Sequence, residues 1–224
     1  MHIVLLESLG VPQEVLAACA RPLVEAGHTF HAYAREDDPQ TQIARARDAD
    51  VLMIANMPLC GEVISACPNL KFIDVAFTGM DHVDLEAARA KGIRVSNAAG
   101  YSTQAVAELA VCLMLSLLRN VPQVDERCRN GRDKSGLVGT ELGGKTVGLI
   151  GVGTANLCRA FGCKVLGYKR HVRGDEPSFV EFVPLDELLA RSDIVSLHCP
   201  LNDDSRGLIG RAAIAGMKRG AYLI

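Results

Sequence analysis

Up to about residue 98 the chain alternates short apolar, β-branched runs with stretches whose apolar residues recur at helical spacing, the pattern of a parallel sheet flanked by helices. The runs predict strands at Ile3 to Leu6, Thr29 to Tyr33, Val51 to Ile54, Phe72 to Val75 and Arg94 to Ser96. Helices are expected at Gln13 to Glu25, Gln42 to Ala49, Gly61 to Ala66 and Leu85 to Lys91. The first and last of these close on Gly27 and Gly92, because glycine readily takes the left-handed conformation that ends a helix. The stretch Asn97 to Ser102 leads into a long helix from near Thr103 to about Cys128, kinked at Pro122. Its first half is apolar on nearly all sides, so it needs cover from its own domain and from something else, a second copy of the chain being one candidate. From Lys145 the alternation resumes, with strands expected at Val147 to Ile150, Lys164 to Tyr168, Phe179 to Val183, Ile194 to His198 and Ala221 to Ile224. The chain therefore divides into one α/β domain over 1–98 and a second over 99–224.

Composition narrows the partners. The 224 residues carry a formal net charge of -2, which gives no electrostatic reason to bind nucleic acid or an anionic membrane surface, so small molecules are the expected ligands. The apolar run Ala105 to Leu118 falls short of the about 20 residues a bilayer span needs and reads as a buried helix. The 8 cysteines are scattered, several within apolar runs, and none forms a Cys-x-x-Cys pair that would suggest zinc or dithiol chemistry. The opening MHIVLLESLG lacks a basic n-region and a small-residue cleavage site and reads as a first strand, so a reducing cytoplasm is the expected setting.

Candidate chemistry begins at Gly151-Val152-Gly153, directly after the strand Val147 to Ile150. A first glycine there permits a tight turn, and a second lets backbone amides approach a pyrophosphate; a plain strand-to-helix turn needing two glycines is the alternative. The third glycine of the Gly-x-Gly-x-x-Gly pattern is replaced by Asn156, and the following strand begins so soon that the crossover helix must be short. Where an acidic residue would meet the adenosine ribose, the strand ends in Tyr168-Lys169-Arg170. These basic groups suit the 2′-phosphate of NADP, or they belong to a solvated basic loop, KRHVR.

Three blocks then carry a resemblance: FTGMDHVDLEAARAKGIRVSNAAGYSTQAVAELA (Phe77 to Ala110), ELGGKTVGLIGVG (Glu141 to Gly153) and SDIVSLHCPL (Ser192 to Leu201). On these the chain resembles the D-isomer-specific 2-hydroxyacid dehydrogenases, the group of phosphoglycerate, glycerate and D-lactate dehydrogenases. The resemblance implies a flavodoxin-like substrate-binding domain followed by a Rossmann-type domain for NAD or NADP. It implies hydride transfer between that cofactor and a small 2-hydroxy or 2-oxo acid, while a homodimer through the helix near Thr103 is expected from that helix's apolar surface alone. It places the substrate carboxylate on main-chain amides of Ala76, Phe77, Thr78 and Gly79, with Tyr101 facing the same cleft. Val106 is like the residue packed near the nicotinamide. Gly151, Gly153, Thr154, Tyr168, Lys169 and Arg170 fall in the cofactor loop and at the end of the next strand, and His198, Cys199 and Pro200 resemble the strand end lining the adenosine side.

The family's Arg, Glu and His, which orient substrate and move the proton, lie beyond the strand that reads GAYLI here, so no residue in 1–224 is named as catalytic. Similar sequences also carry about five more residues between Thr154 and Ala155, enough to shorten the helix by about 7.5 Å and turn its face by about 140°. Cofactor binding is therefore expected to be weakened or lost, and the alternative to an active dehydrogenase is a truncated, inactive fragment or pseudoenzyme serving as a nucleotide-binding or dimerising module. The strand Ala221 to Ile224 is expected to be an exposed, unpaired edge that makes the chain poorly soluble.

Overall fold

The computed structural model describes every residue except 171–173 and 175, so the last three residues of the KRHVR segment lie outside the described residues. The chain forms two compact units, Met1–Tyr101 and Ser102–Ile224.

The first unit is a five-stranded, all-parallel sheet of order β2-β1-β3-β4-β5, built from β1 (His2–Leu5), β2 (Thr29–Ala32), β3 (Val51–Ile54), β4 (Phe72–Val75) and β5 (Arg94–Asn97). This is the flavodoxin-like order. The central strands β1, β3 and β4 are the apolar runs of the sequence, and Val4, Leu6, Leu52, Ile54, Ile73 and Val75, alternate residues on one face, are fully buried in one core, while the alternate residues of β3 and β4 are half-buried. The outer strands β2 and β5 bury little, which places the sheet's edges where the pattern is most polar. Helices α1 (Gln13–Glu25), α2 (Pro39–Ala46), α3 (Gly61–Ala66) and α4 (Leu85–Ala90) make the crossovers. Gly27 and Gly92 follow α1 and α4 with positive φ, as expected. The second helix starts earlier than its apolar pattern suggests, because Asp38 accepts a hydrogen bond from the Thr41 amide at 2.9 Å and Pro39 fits the first turn.

The second unit is also five-stranded and parallel, in the order β10-β9-β6-β7-β8, with β6 (Thr146–Ile150), β7 (Lys164–Tyr168), β8 (Glu181–Phe182), β9 (Ile194–Leu197) and β10 (Tyr222–Leu223). Counted within the unit this is the Rossmann order, with β6 at its centre. The long helix expected from Thr103 to Cys128 is two: α5 (Thr103–Leu118) and α6 (Val121–Arg129), bent by 64°. The break lies at Asn120, which holds a left-handed φ of 53°, and Pro122 sits in the first turn of α6, where proline is tolerated. The strand expected from Phe179 to Val183 shrinks to Glu181–Phe182, because the Val180 amide turns back to the Pro177 carbonyl. The Ala221 to Ile224 strand shrinks to two residues, which pair with β9 on one side and form the exposed outer strand of the sheet, as expected.

The short crossover closes. Helix α7 (Ala155–Ala160) has only 6 residues, yet β6 and β7 pair in full register from Thr146 with Lys164 to Ile150 with Tyr168. The expected loss of its apolar face does not occur: Ala155 and Cys158, three apart, are both completely buried, and Leu157 packs on the same core. On the other side of the sheet, α8 (Leu185–Arg191) presses onto β6 at Gly148, where a Cβ would meet Leu188 Cδ2 at 2.5 Å and Ser192 Oγ at 2.3 Å. The last helix, α9 (Arg211–Ala215), leads to β10.

Candidate cofactor and substrate sites

The carboxyl end of a parallel sheet at the point where strand order reverses is where ligands bind in open α/β folds, because the loops diverge there to either side. In the second unit a cavity of about 510 Å³ occupies that place. Its floor is Ile150 and Gly151 at the end of β6; one wall is Tyr168, Lys169 and Arg170, ending β7; the other is His198, Cys199, Pro200, Asn202, Asp204, Ser205 and Leu208, following β9. The cavity thus gathers Gly151, Tyr168, Lys169, Arg170, His198, Cys199 and Pro200 from the residues expected to hold a cofactor.

Gly151 is there for a physical reason. Its φ is +95°, and a Cβ would come within 2.9 Å of the His198 carbonyl oxygen, so the turn leaving β6 passes against the end of β9 with no room for a side chain. Gly153 is different: it is exposed, has no positive φ, and a Cβ would touch only Thr103 Cγ2 at 3.4 Å. Thr154 is buried beneath this loop, its Oγ1 lying 3.2 Å from His198 Nε2, while Ser196 Oγ lies 2.8 Å from the same nitrogen. Burial holds the imidazole below its ordinary pKa, so His198 is a neutral ring tying β9 to the glycine loop. Asn156, at the third-glycine position, is exposed. Val106 is exposed on the first turns of α5 and does not line the cavity.

The basic strand end is not a free phosphate site. Lys169 Nζ donates to Glu176 Oε1 at 3.0 Å, with the glutamate side chain only 4% exposed. Arg170 donates to Asp204 across the cavity, and each group shifts the other's pKa toward the charged form. Asp204, Asn202 and Ser205 are site residues that sequence reasoning passed over. Their signal is the run Asn-Asp-Asp-Ser just after Pro200: Asn202 Oδ1 accepts from the amides of Asp204 and Ser205 at 3.1 and 3.0 Å, and Ser205 Oγ donates to the Pro200 carbonyl at 2.6 Å.

In the first unit the bend Ala76–Thr78 leaves the carboxyl end of β4. Of the four amides expected to hold a carboxylate, that of Ala76 is already given to the Ile54 carbonyl at 2.7 Å. Those of Phe77, Thr78 and Gly79 have no acceptor among the described residues. Asn97 Nδ2 steadies the loop by donating to the Thr78 carbonyl at 2.7 Å, and the Tyr101 ring lies 6.1 Å from that of Phe77. The predicted substrate residues are therefore together. A further residue organises this unit unannounced: Glu7, 3% exposed, whose Oε1 accepts from the amides of both Ala55 and Met57 at 2.7 Å.

Against known proteins, residues 111–224 match the model for the D-isomer specific 2-hydroxyacid dehydrogenase, NAD binding domain. The chain belongs to that family. Among curated relatives, hydroxypyruvate reductase of Thermotoga maritima is 39% identical over 184 residues, covering 79% of this chain and 60% of the relative. Glyoxylate reductase of Thermofilum pendens is 40% identical over 192 residues, covering 80% and 57%. The chain thus spans about three fifths of the length of these relatives. Among solved structures, an NAD-dependent formate dehydrogenase from Staphylococcus aureus in complex with NAD superposes with a TM-score of 0.86 at 29% identity, covering 100% of this chain and 72% of that one. An acyclic imino acid reductase in complex with NADPH and D-Arg superposes at 0.88 and 27% identity, covering 100% and 73%.

Proposed function

We propose that this chain is part of an oxidoreductase that moves hydride between NAD(P) and a small 2-hydroxy or 2-oxo acid, with 99–224 holding the cofactor and 1–98 the acid. The observation that carries the reading is the cavity beyond β6, β7 and β9, closed at its floor by a glycine turn packed backbone to backbone on β9. Its mixture of apolar wall (Ile150, Cys199, Pro200, Leu208) and polar rim fits the adenosine half of a dinucleotide. When bound, NAD(P) supplies or accepts the hydride. The chain's own residues bind and orient: Gly151 and Gly153 let the backbone approach the dinucleotide, Thr154 and His198 hold that loop against β9, and Val106 would flank the nicotinamide. The amides of Phe77, Thr78 and Gly79, which have no acceptor among the described residues, would serve as donors for a carboxylate, beside the rings of Phe77 and Tyr101. Relatives named for reduction of hydroxypyruvate and glyoxylate make 2-oxo acids of that size the substrates to try.

A homodimer through α5 accompanies this reading, since Leu109, Leu113 and Leu117 are 60%, 43% and 43% exposed along one stripe of that helix. A reducing, cytoplasmic setting agrees with all 8 cysteines being free, and no single helix among the described residues is long and apolar enough to cross a membrane.

A second reading, a nucleotide-binding or dimerising module without turnover, draws on the 6-residue α7, which leaves little helix behind the glycine loop. One titration separates them. NADH and NADPH fluorescence is followed as the chain is added, then glyoxylate or hydroxypyruvate is introduced. Binding followed by oxidation supports the enzyme; binding with no turnover favours the module; no binding of either nucleotide overturns both.

A further inference from the structure

We propose that Asp204 sets this protein's discrimination between adenine nucleotides with a free and with a phosphorylated 2′-hydroxyl, by occupying Arg170 and presenting its own carboxylate to the same cavity. The inference rests on reading the cavity beyond β6, β7 and β9 as the adenosine site. By sequence alone, Tyr168-Lys169-Arg170 suggests a 2′-phosphate site. The side chains say otherwise, because a 2′-phosphate needs donors that are not already spent. Lys169 is paired with a carboxylate that is only 4% exposed, which holds its ammonium away from solvent. Among the described residues lining the cavity, Arg170 is the basic group more readily recruited, since its pair with Asp204 is exposed on both sides, at 56% and 60%.

Recruiting it means separating it from Asp204, whose carboxylate would then face the incoming phosphate as a like charge. In that loop Asn202 Oδ1 and Ser205 Oγ are committed to the loop's own backbone, and Arg206 does not line the cavity. Asp204 uses Oδ2 on Arg170, and Oδ1 has no partner among the described residues. A ribose hydroxyl is a donor that such an oxygen accepts. The acid missing from the end of β7 is thus supplied from the far wall of the same cavity, and the chain is expected to favour nucleotides without the 2′-phosphate.

The test uses the intact 224-residue chain and two probes, adenosine 5′-monophosphate and adenosine 2′,5′-bisphosphate, titrated calorimetrically with no turnover required. The unaltered chain should bind the monophosphate more tightly. Asp204→Asn, which keeps the loop's shape, should tighten the bisphosphate and weaken the monophosphate, shifting the ratio of the two affinities by about tenfold toward the bisphosphate. Adding Arg170→Gln to Asp204→Asn should abolish the gain. If the monophosphate binds but the ratio of the two affinities is the same in Asp204→Asn, the role of Asp204 is wrong while the site stands. If neither probe binds any variant and circular dichroism shows an intact fold, the adenosine site itself is refuted, and the proposal with it.

Discussion

The two units solve the same topological problem with different means. Each carries a central strand, β1 or β6, to a parallel neighbour by a helical crossover, but α1 has 13 residues and α7 has 6. The long helix buries only Ala20, which is still 7% exposed, whereas the short one buries Ala155 and Cys158 completely. What holds a crossover, then, is the closeness of its contact with the sheet rather than its length, and small residues give the closest contact. The second unit makes up the missing cover with α5, whose Val111, Met114 and Leu118 join Ala155 and Cys158 in one core. Having less helix to spare, it depends more on residues that admit close approach.

That contrast is most sharply broken at Gly148. A Val there would drive its side chain into Leu188 and Ser192 on α8, contacts already below 3 Å for a bare Cβ. Gly148→Val should destabilise the second unit by about 3 kcal/mol or more, at the upper end of what overpacking costs. Hydrogen exchange resolved by segment checks this: β6, β7 and β9 should lose protection while β1, β3 and β4 keep theirs. Equal loss in both units would show that they do not differ in their tolerance of added volume.

The next effect belongs to the first unit, where polar rather than steric closeness governs. Glu7 Oε1 satisfies two backbone amides in the loop after β3, and its other oxygen lies 3.6 Å from Arg35. Glu7→Ala leaves both amides without an acceptor and should cost about 2 to 3 kcal/mol. Glu7→Gln keeps the accepting oxygen and should lose less than about 1 kcal/mol, since the remaining Arg35 interaction is partly exposed. Denaturant melts of the two variants measure the difference, and equal losses would mean that the charge, not the amide cradle, is what matters.

The same contrast marks what could be read in advance. The strands β3, β4 and β7 and the helices α1 and α3 match their expected bounds, because the strands are short apolar runs and the helices repeat their apolar residues at helical spacing. That the ends of β7 and β9 face one cavity was legible through the glycines and the blocks around them. The break at Asn120 was not, because a left-handed residue between two apolar helices leaves no trace in periodicity, and the visible proline drew attention two residues too far. Nor were the partners of Lys169 and Arg170, since Glu176 and Asp204 meet them only through folding, Asp204 from 34 residues away. Sequence shows which charges exist, and tertiary structure decides which are already spent.

The smallest effect tests how firmly the glycine loop is tied down. His198 is buried against Thr154 and Ser196 with its pKa lowered, while the unfolded chain's imidazole titrates near its ordinary value of about 6.5. As pH falls through that value the unfolded state takes up a proton that the folded state resists, so stability is full above it and declines below it. For one group the slope is at most about 1.4 kcal/mol per pH unit. His198→Gln cannot take up that proton but can still hydrogen-bond the two hydroxyls, so it should flatten the stability of the second unit between pH 7 and 5 relative to the unaltered chain. Arg170 and Asp204 line the same cavity, and their mutual pairing favours the charged form of both, so they hold their charges while the imidazole changes. Thermal melts of both proteins across this range decide it. If the two curves run parallel, the ring is solvated well enough to be protonated in place, and the loop that follows Gly151 is held by its backbone packing on β9 alone.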